Sequence, residues 1–232
     1  MLAAFLLAAG CAQAPLAMPT VPDGGTRIYT GEVLDSQGVP MFRYTRSSTE
    51  HWSIHRSFDA DTNALVVAQA ARHDHAYTLR QYVEDHVQLG LRSVVSSPAP
   101  DHLEYTTLDG HRVRHRTERI DAPAVTGPTL FGFILTHWDR LARGEALEVR
   151  FVVAERRRSY RFVLRMREPA DGRTTVEMRP RSWILRRSIA PIRMHFDPRT
   201  RSILAYEGRI PPRKGGRPVD ARVEYRHEAS FR

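Results

Sequence analysis

The residue with the most definite chemistry in this chain is its one cysteine, Cys11, which follows the apolar run Leu6-Leu7-Ala8-Ala9-Gly10. A thiol placed after small residues at the end of an apolar stretch is the acceptor arrangement of a bacterial lipoprotein signal. Residues 1–10 are too short to span a bilayer, which needs ~20 apolar residues. They also lack the basic n-region of a complete signal peptide, and Ala8 stands where such signals usually carry Leu. The expectation is a mature chain beginning at a lipidated Cys11 and held to a membrane through buried methylenes. Ala12 replaces the aspartate that resembles an inner-membrane retention signal, which points to the outer membrane, facing the periplasm.

Other chemistry-bearing clusters are weaker. In His73-Asp74-His75 the two histidines would share a strand face, and His51 and His55 flank a second candidate position with Trp52 between them. Neither matches a recognised metal-ligand spacing, so the reading is polar strand-end histidines and no metal. Glu84-Asp85-His86 and His137-x-Asp139 hold acid/base residue types. Adjacent strand residues point to opposite faces, however, and helix positions two apart diverge. No Gly-x-Ser-x-Gly elbow is present, and the sole thiol is committed to lipid. No catalytic residue and no cofactor is therefore assigned.

Arginine dominates the charge. The chain carries a net charge of +9 with a pI near 10.4, and Lys214 is its only lysine. Such a balance raises nucleic acid as a partner. No zinc-finger, basic-zipper or RNA-binding-sheet motif accompanies it, and an exported protein seldom meets nucleic acid. Arg112, Arg114 and Arg116 share one strand parity, as do Arg161, Arg165 and Arg167, and Arg156-Arg157-Arg158 adds a run. Like charges spaced two apart repel. They seek cross-strand carboxylates such as Glu118 and Glu177, or phosphates on an anionic lipid or lipopolysaccharide surface. Phe131, Phe133, Trp138 and Trp183 are candidates to line an apolar ligand cavity, with plain core packing as the alternative. Phe133 lies off the main apolar stripe, so it needs a second covering layer or faces a groove.

The elements that must position these residues are mostly strands. Residues 11–25 form a lipid-bearing, Ala/Pro/Gly-rich tether, and residues 26–232 form a single domain, large enough for one buried core. With one cysteine there is no internal disulfide, so packing and hydrogen bonds hold the fold. Tyr77, Leu79, Val83, Val87, Leu89 and Leu91 alternate with Arg80, Glu84, His86, Gln88 and Arg92, which predicts a half-buried strand. The runs Leu147–Val153 and Tyr160–Met166 repeat the scheme. Asp109-Gly110 and Asp171-Gly172 are hairpin signals, because glycine tolerates the positive φ such turns require. Asp59–Asn63 and Asp197–Thr200 predict further turns. One stretch departs from period two: Pro128–Arg143 places Leu130, Phe131, Ile134, Leu135, Trp138, Leu141 and Ala142 at helical spacings, between Gly127 and Gly144. A shorter helix is predicted over Ser182–Ile189. The fold class is therefore mainly β with minor α: a strongly curved antiparallel sheet or open barrel packed around one amphipathic helix near 128–143.

The segment Phe196-Asp197-Pro198-Arg199-Thr200-Arg201-Ser202-Ile203-Leu204-Ala205-Tyr206-Glu207-Gly208 resembles a hairpin recurring in uncharacterised bacterial envelope β-proteins. Gly127-Pro128-Thr129-Leu130-Phe131-Gly132 and the Trp138 helix resemble parts of the same kind of family. In architecture the chain is also similar to the half-barrels of the lipoprotein carrier and receptor system. That likeness implies a sheet-and-helix cavity for acyl chains and fixes no function.

The leading expectation is a lipid-anchored, non-catalytic periplasmic protein that binds a hydrophobic or amphipathic envelope molecule. A scaffold that binds another envelope protein through a sheet edge or the Arg face comes second, and an enzyme a distant third. An outer-membrane barrel is disfavoured, since the strands lack aromatic girdles.

Overall fold

The computed structural model describes residues 27–35, 37–167 and 171–228; the signal segment, Cys11 and the tether lie outside the described residues. The first eight strands are β1 (Arg27–Leu34), β2 (Pro40–Ser48), β3 (Trp52–Asp59), β4 (Leu65–His73), β5 (Leu79–His86), β6 (Leu91–Ser96), β7 (His102–Asp109) and β8 (Arg112–Arg119). The short β9 (Ala124–Val125) leads into helices α1 (Gly127–Thr136) and α2 (Trp138–Ala142). Strands β10 (Leu147–Val153), β11 (Arg158–Met166) and β12 (Thr174–Pro180) follow, then α3 (Trp183–Ser188), β13 (Ile192–Phe196), β14 (Ile203–Lys214) and β15 (Arg217–Glu228).

All fifteen strands belong to one sheet, ordered β8 to β1, then β15 down to β9. Nearly every hydrogen-bonded neighbour is also the sequence neighbour, so the fold is a meander of hairpins. The exceptions are the antiparallel pairing of β1 with β15, which joins the two ends of the domain, and the parallel contact of β9 with β10. The turn chemistry follows the side chains. The Asp59 carboxylate accepts the amides of Asp61 and Thr62, and the Asp197 carboxylate those of Arg199 and Thr200. Asp171 and Gly172 both take positive φ, at 53° and 69°, as a primed hairpin turn requires.

The sheet curls until its edges nearly meet. Only residues 120–123 separate β8, at one edge, from β9, at the other. Glu118 on β8 bridges the gap. Its carboxylate accepts the Tyr105 hydroxyl (2.9 Å), the Ser159 amide (2.8 Å), the Ser159 hydroxyl (3.1 Å) and the Arg150 guanidinium (3.3 Å). Side chains, not a ladder of backbone bonds, thus hold the open barrel shut. Helix α1 lies inside the curl, and every residue from Pro128 to Ile134 is buried. Leu130, Phe131, Ile134, Trp138 and Leu141 pack with Val149, Leu164, Met178, Met194 and Phe196 in the main core.

Three sequence expectations need correction. The run from Tyr77 to Leu91 is not one strand: Val87–Leu89 forms a 3₁₀ turn closed by Gly90 at φ 60°, which leaves Val87 and Leu89 exposed. Tyr77 sits in a preceding turn at φ 58°. The helix over 128–143 breaks at His137, whose ring Nδ1 and backbone amide both engage the Phe133 carbonyl and whose ψ of 17° leaves the helical region. Finally, the inner face is not uniformly apolar. Arg46, His55, Gln69, Glu84 and His86 are all buried, and they build the site below.

Candidate binding cavity

The cross-strand register brings the polar residues together. Arg46 on β2 lies opposite His55 on β3, His55 opposite Gln69 on β4, and Gln69 opposite Glu84 on β5. One level along the strands, Tyr44, Ser57, Val67 and His86 form a parallel row. Residues directly across a pair of strands present side chains to the same face. One polar row, and a second interrupted by Val67, therefore cross the concave side of the sheet.

Above these rows is a cavity of about 250 Å³. Its polar wall is Tyr44, His55, Gln69, Tyr82, Glu84 and His86. Its apolar wall comes from Leu130 and Phe131 of α1, Phe151 and Val152 at the end of β10, and Ile192, Ile210 and Val223 of the C-terminal strands. The rim is formed by Glu155, Arg156, Arg209, Arg213 and Pro218, of which Arg156, Arg209 and Pro218 are exposed.

The polar wall is incompletely satisfied. Glu84 Oε2 accepts the Gln69 amide and the Tyr82 hydroxyl, each at 2.6 Å. His86 Nε2 lies 3.1 Å from the Pro211 carbonyl, which can only accept, so this nitrogen donates. Its Nδ1, together with His55 Nε2 and the Tyr44 hydroxyl, is buried without a hydrogen-bond partner. Burial, and secondarily the charge of Arg46, hold His55 well below the usual histidine range, so its ring is neutral at pH 7. Burial pushes Tyr82 well above the ordinary phenol range, with the Glu84 charge acting in the same direction. Buried polar atoms in folded proteins are almost always paired. Arg213 Nε, also in the lining, is likewise buried and unpartnered, so four such atoms, donors as well as acceptors, surround one cavity.

Arg46 stands behind this wall. Its Nη2 donates to the Pro128 carbonyl (3.0 Å), its guanidinium lies 4.1 Å from the centre of the Phe131 ring, and burial lowers its pKa to about 10. Phe131 thereby separates the guanidinium from the cavity.

The sequence-selected residues are scattered. Of the four aromatics, Phe131 lines the cavity. Phe133 is buried against His137 with ring centres 4.2 Å apart, and Trp138 packs edge-on to Phe196 in the core. Trp183 on α3 is 63% exposed, with Arg187 over its ring, and is not among the residues that line the cavity. Arg112, Arg114 and Arg116 lie on the exposed edge strand β8 and make no ion pair among the described residues. Arg161 pairs with Asp121 and lies near Glu148, Arg167 pairs with Glu177, and Arg165 is exposed. Glu118 meets Arg150 instead of the β8 arginines. His73 is buried between Ser53 and the Asp74 carbonyl and stacks on Tyr77, whereas His75 is exposed beside Glu50. Among the described residues no three His, Cys, Asp or Glu side chains converge as a metal site.

The cavity's polar residues escaped the sequence reading because alternation assigns polar positions to water. Gln69 carried a usable signal: it is a lone amide inside Leu65-Val66-Val67-Ala68-Gln69-Ala70-Ala71, a stretch otherwise apolar on both parities.

No known protein family matches this chain, and no characterised protein is significantly similar to it in sequence.

Proposed function

We propose that this protein binds a hydrophobic or amphipathic molecule of the bacterial envelope, non-catalytically, while lipid on Cys11 anchors it to the periplasmic face of the outer membrane. The observation that carries this reading is the cavity of about 250 Å³ with one apolar and one polar wall. An apolar cavity of about 150 Å³ already admits benzene, so the space suits a small amphipath or one short acyl chain.

Native mass spectrometry of the full-length protein purified from cell envelopes tests the binding reading. A co-purifying small molecule is expected, and its repeated absence refutes the reading. Replacing Cys11 with Ser releases the protein from the membrane fraction if the anchor is as described; unchanged fractionation would refute the anchor.

A second reading, an envelope scaffold, draws on strand β8, whose outer edge is unpaired and whose Arg112, Arg114 and Arg116 have no carboxylate partner among the described residues. An acidic strand adding to that edge would satisfy both deficits. Protection of the β8 amides in envelope extract but not in buffer favours this second reading.

A further inference from the structure

Resting on the reading of the cavity as a binding site, we infer that the polar end of its ligand is a primary ammonium group. Around Glu84 the wall offers free acceptors, whereas the Tyr44 hydroxyl and Arg213 Nε, elsewhere in the lining, are unpartnered donors. Both bonds to Glu84 fall on Oε2, which leaves Oε1 unbonded. His86 Nε2 donates to the Pro211 carbonyl, and its Nδ1 is buried and unpartnered. Gln69 donates one amide hydrogen to Glu84, and its Oε1 turns toward α1, where a Cβ on Gly127 would lie 3.8 Å away. A guest that bonds Glu84 Oε1 and Gln69 Oε1 supplies N–H or O–H donors.

Charge narrows the class further. Glu84 is 7% exposed and makes no ion pair among the described residues. A buried carboxylate normally has a cation beside it. Arg46 does not fill that role: it stands three strand positions away in the same row, roughly 14 Å at ~4.8 Å per strand, and Phe131 covers it. None of the rim arginines pairs with Glu84: Arg209 pairs with Asp220 (2.6 Å), Arg213 Nη2 with Glu155 (2.7 Å), and the exposed Arg156 lies 3.8 Å from Glu155. Six aromatic rings complete the enclosure: Tyr44, Tyr82, Phe131, Phe151, Tyr206 and Tyr225. Aromatic faces attract cations and leave anions unsolvated. A carboxylate among aromatic rings, with acceptors left over, is a receptor for R–NH₃⁺ in which R packs on Phe151, Ile210 and Val223.

Calorimetric titration of the full-length protein with four octyl probes of equal chain length tests this inference. Octylammonium should bind at least tenfold more tightly than octanol, octanoate should bind weakest, and octyltrimethylammonium, which keeps the charge but has no N–H, should fall between the first two. Glu84→Gln keeps the side-chain shape and should abolish the ammonium advantage while leaving octanol affinity within about twofold. The octanol titration reports whether that variant is folded, and the probe ranking on the unaltered chain decides the question without it. Equal affinities, or octanoate in first place, would overturn the ammonium assignment and leave the cavity standing. Octyltrimethylammonium equal to or tighter than octylammonium would overturn it in favour of a quaternary cation. Failure of all four probes would remove the binding reading itself.

Discussion

Removing one carboxylate should open the barrel. Glu118→Ala deletes the acceptor shared by the Tyr105 hydroxyl, the Ser159 amide and hydroxyl, and Arg150, all at 3.3 Å or less. The side chains of Glu118 and Arg150 are only 12% and 18% exposed, so the contact is largely shielded from water. Stranding one partner of a buried ion pair costs about 3–5 kcal/mol, and a buried amide left unpaired costs about 1–3 kcal/mol. These terms overlap, because Arg150 also approaches Asp121 at 3.8 Å and water can enter along the seam. We therefore expect a net loss of about 4 kcal/mol. At roughly 2–4 °C per kcal/mol for a chain of this size, Tm should fall by about 8–16 °C. Calorimetry measures the loss, and hydrogen exchange locates it: amides of β7 and β8 should exchange faster, while those of the β1–β15 pair, at the middle of the sheet, should not. Glu118→Gln, which keeps one acceptor oxygen, should lose about half as much. A destabilisation below about 1 kcal/mol, or faster exchange spread evenly over the sheet, would refute the claim that this carboxylate closes the barrel.

Two further predictions concern the helix and the buried histidines. Gly132→Ala would place a methyl about 2.0 Å from the Tyr77 ring, which itself stacks on His73, so the variant should lose about 1–3 kcal/mol in urea unfolding through overpacking. Equal stability of the two proteins would show that Tyr77 is free to move away. The second prediction is a pH dependence. Burial lowers the pKa of His55, His73 and His195, so between their folded values and the ordinary value near 6.5 the unfolded chain binds more protons. Stability is full above that ordinary value and falls as the pH drops below it. Unfolding at pH 5 should need less urea than at pH 7, and His55→Gln should shrink the difference. An identical pH response in that variant would rule out His55 as a contributor.

The contrast between what was and was not legible follows from what each pattern encodes. Hairpins such as Asp171-Gly172 and the Asp197 turn are local: a carboxylate reaching amides two and three residues on, or a glycine accepting positive φ, is fixed by adjacent residues. The helix at 128–143 was also legible as a periodicity. Its break at His137 was not, because that break depends on a ring bonding the Phe133 carbonyl in competition with the helix. The cavity was the least legible feature. Glu84 and His86 occupy positions that alternation assigns to solvent, and only the curl of fifteen strands turns that parity inward. The helical stripe identifies Phe131 as apolar and inward-facing, but lining a cavity depends on which residues stand opposite, such as Tyr225 at 5.7 Å. The same logic accounts for Trp183, whose aromatic character implied burial while its short helix projects from the surface between β12 and β13.

Methyl-resolved NMR of the full-length protein titrated with octan-1-ol probes the central claim most directly, since it reports where a guest sits and not merely that one binds. Methyls of Leu130, Ile192, Ile210 and Val223, which face the cavity, should shift together and saturate at one equivalent. Those of Ile134, Val149 and Leu164, sealed in the core at 0% exposure, should stay in place. Shifts confined to the exposed Val39, Val87, Val113 and Ile184, or no shifts at any concentration, would contradict it.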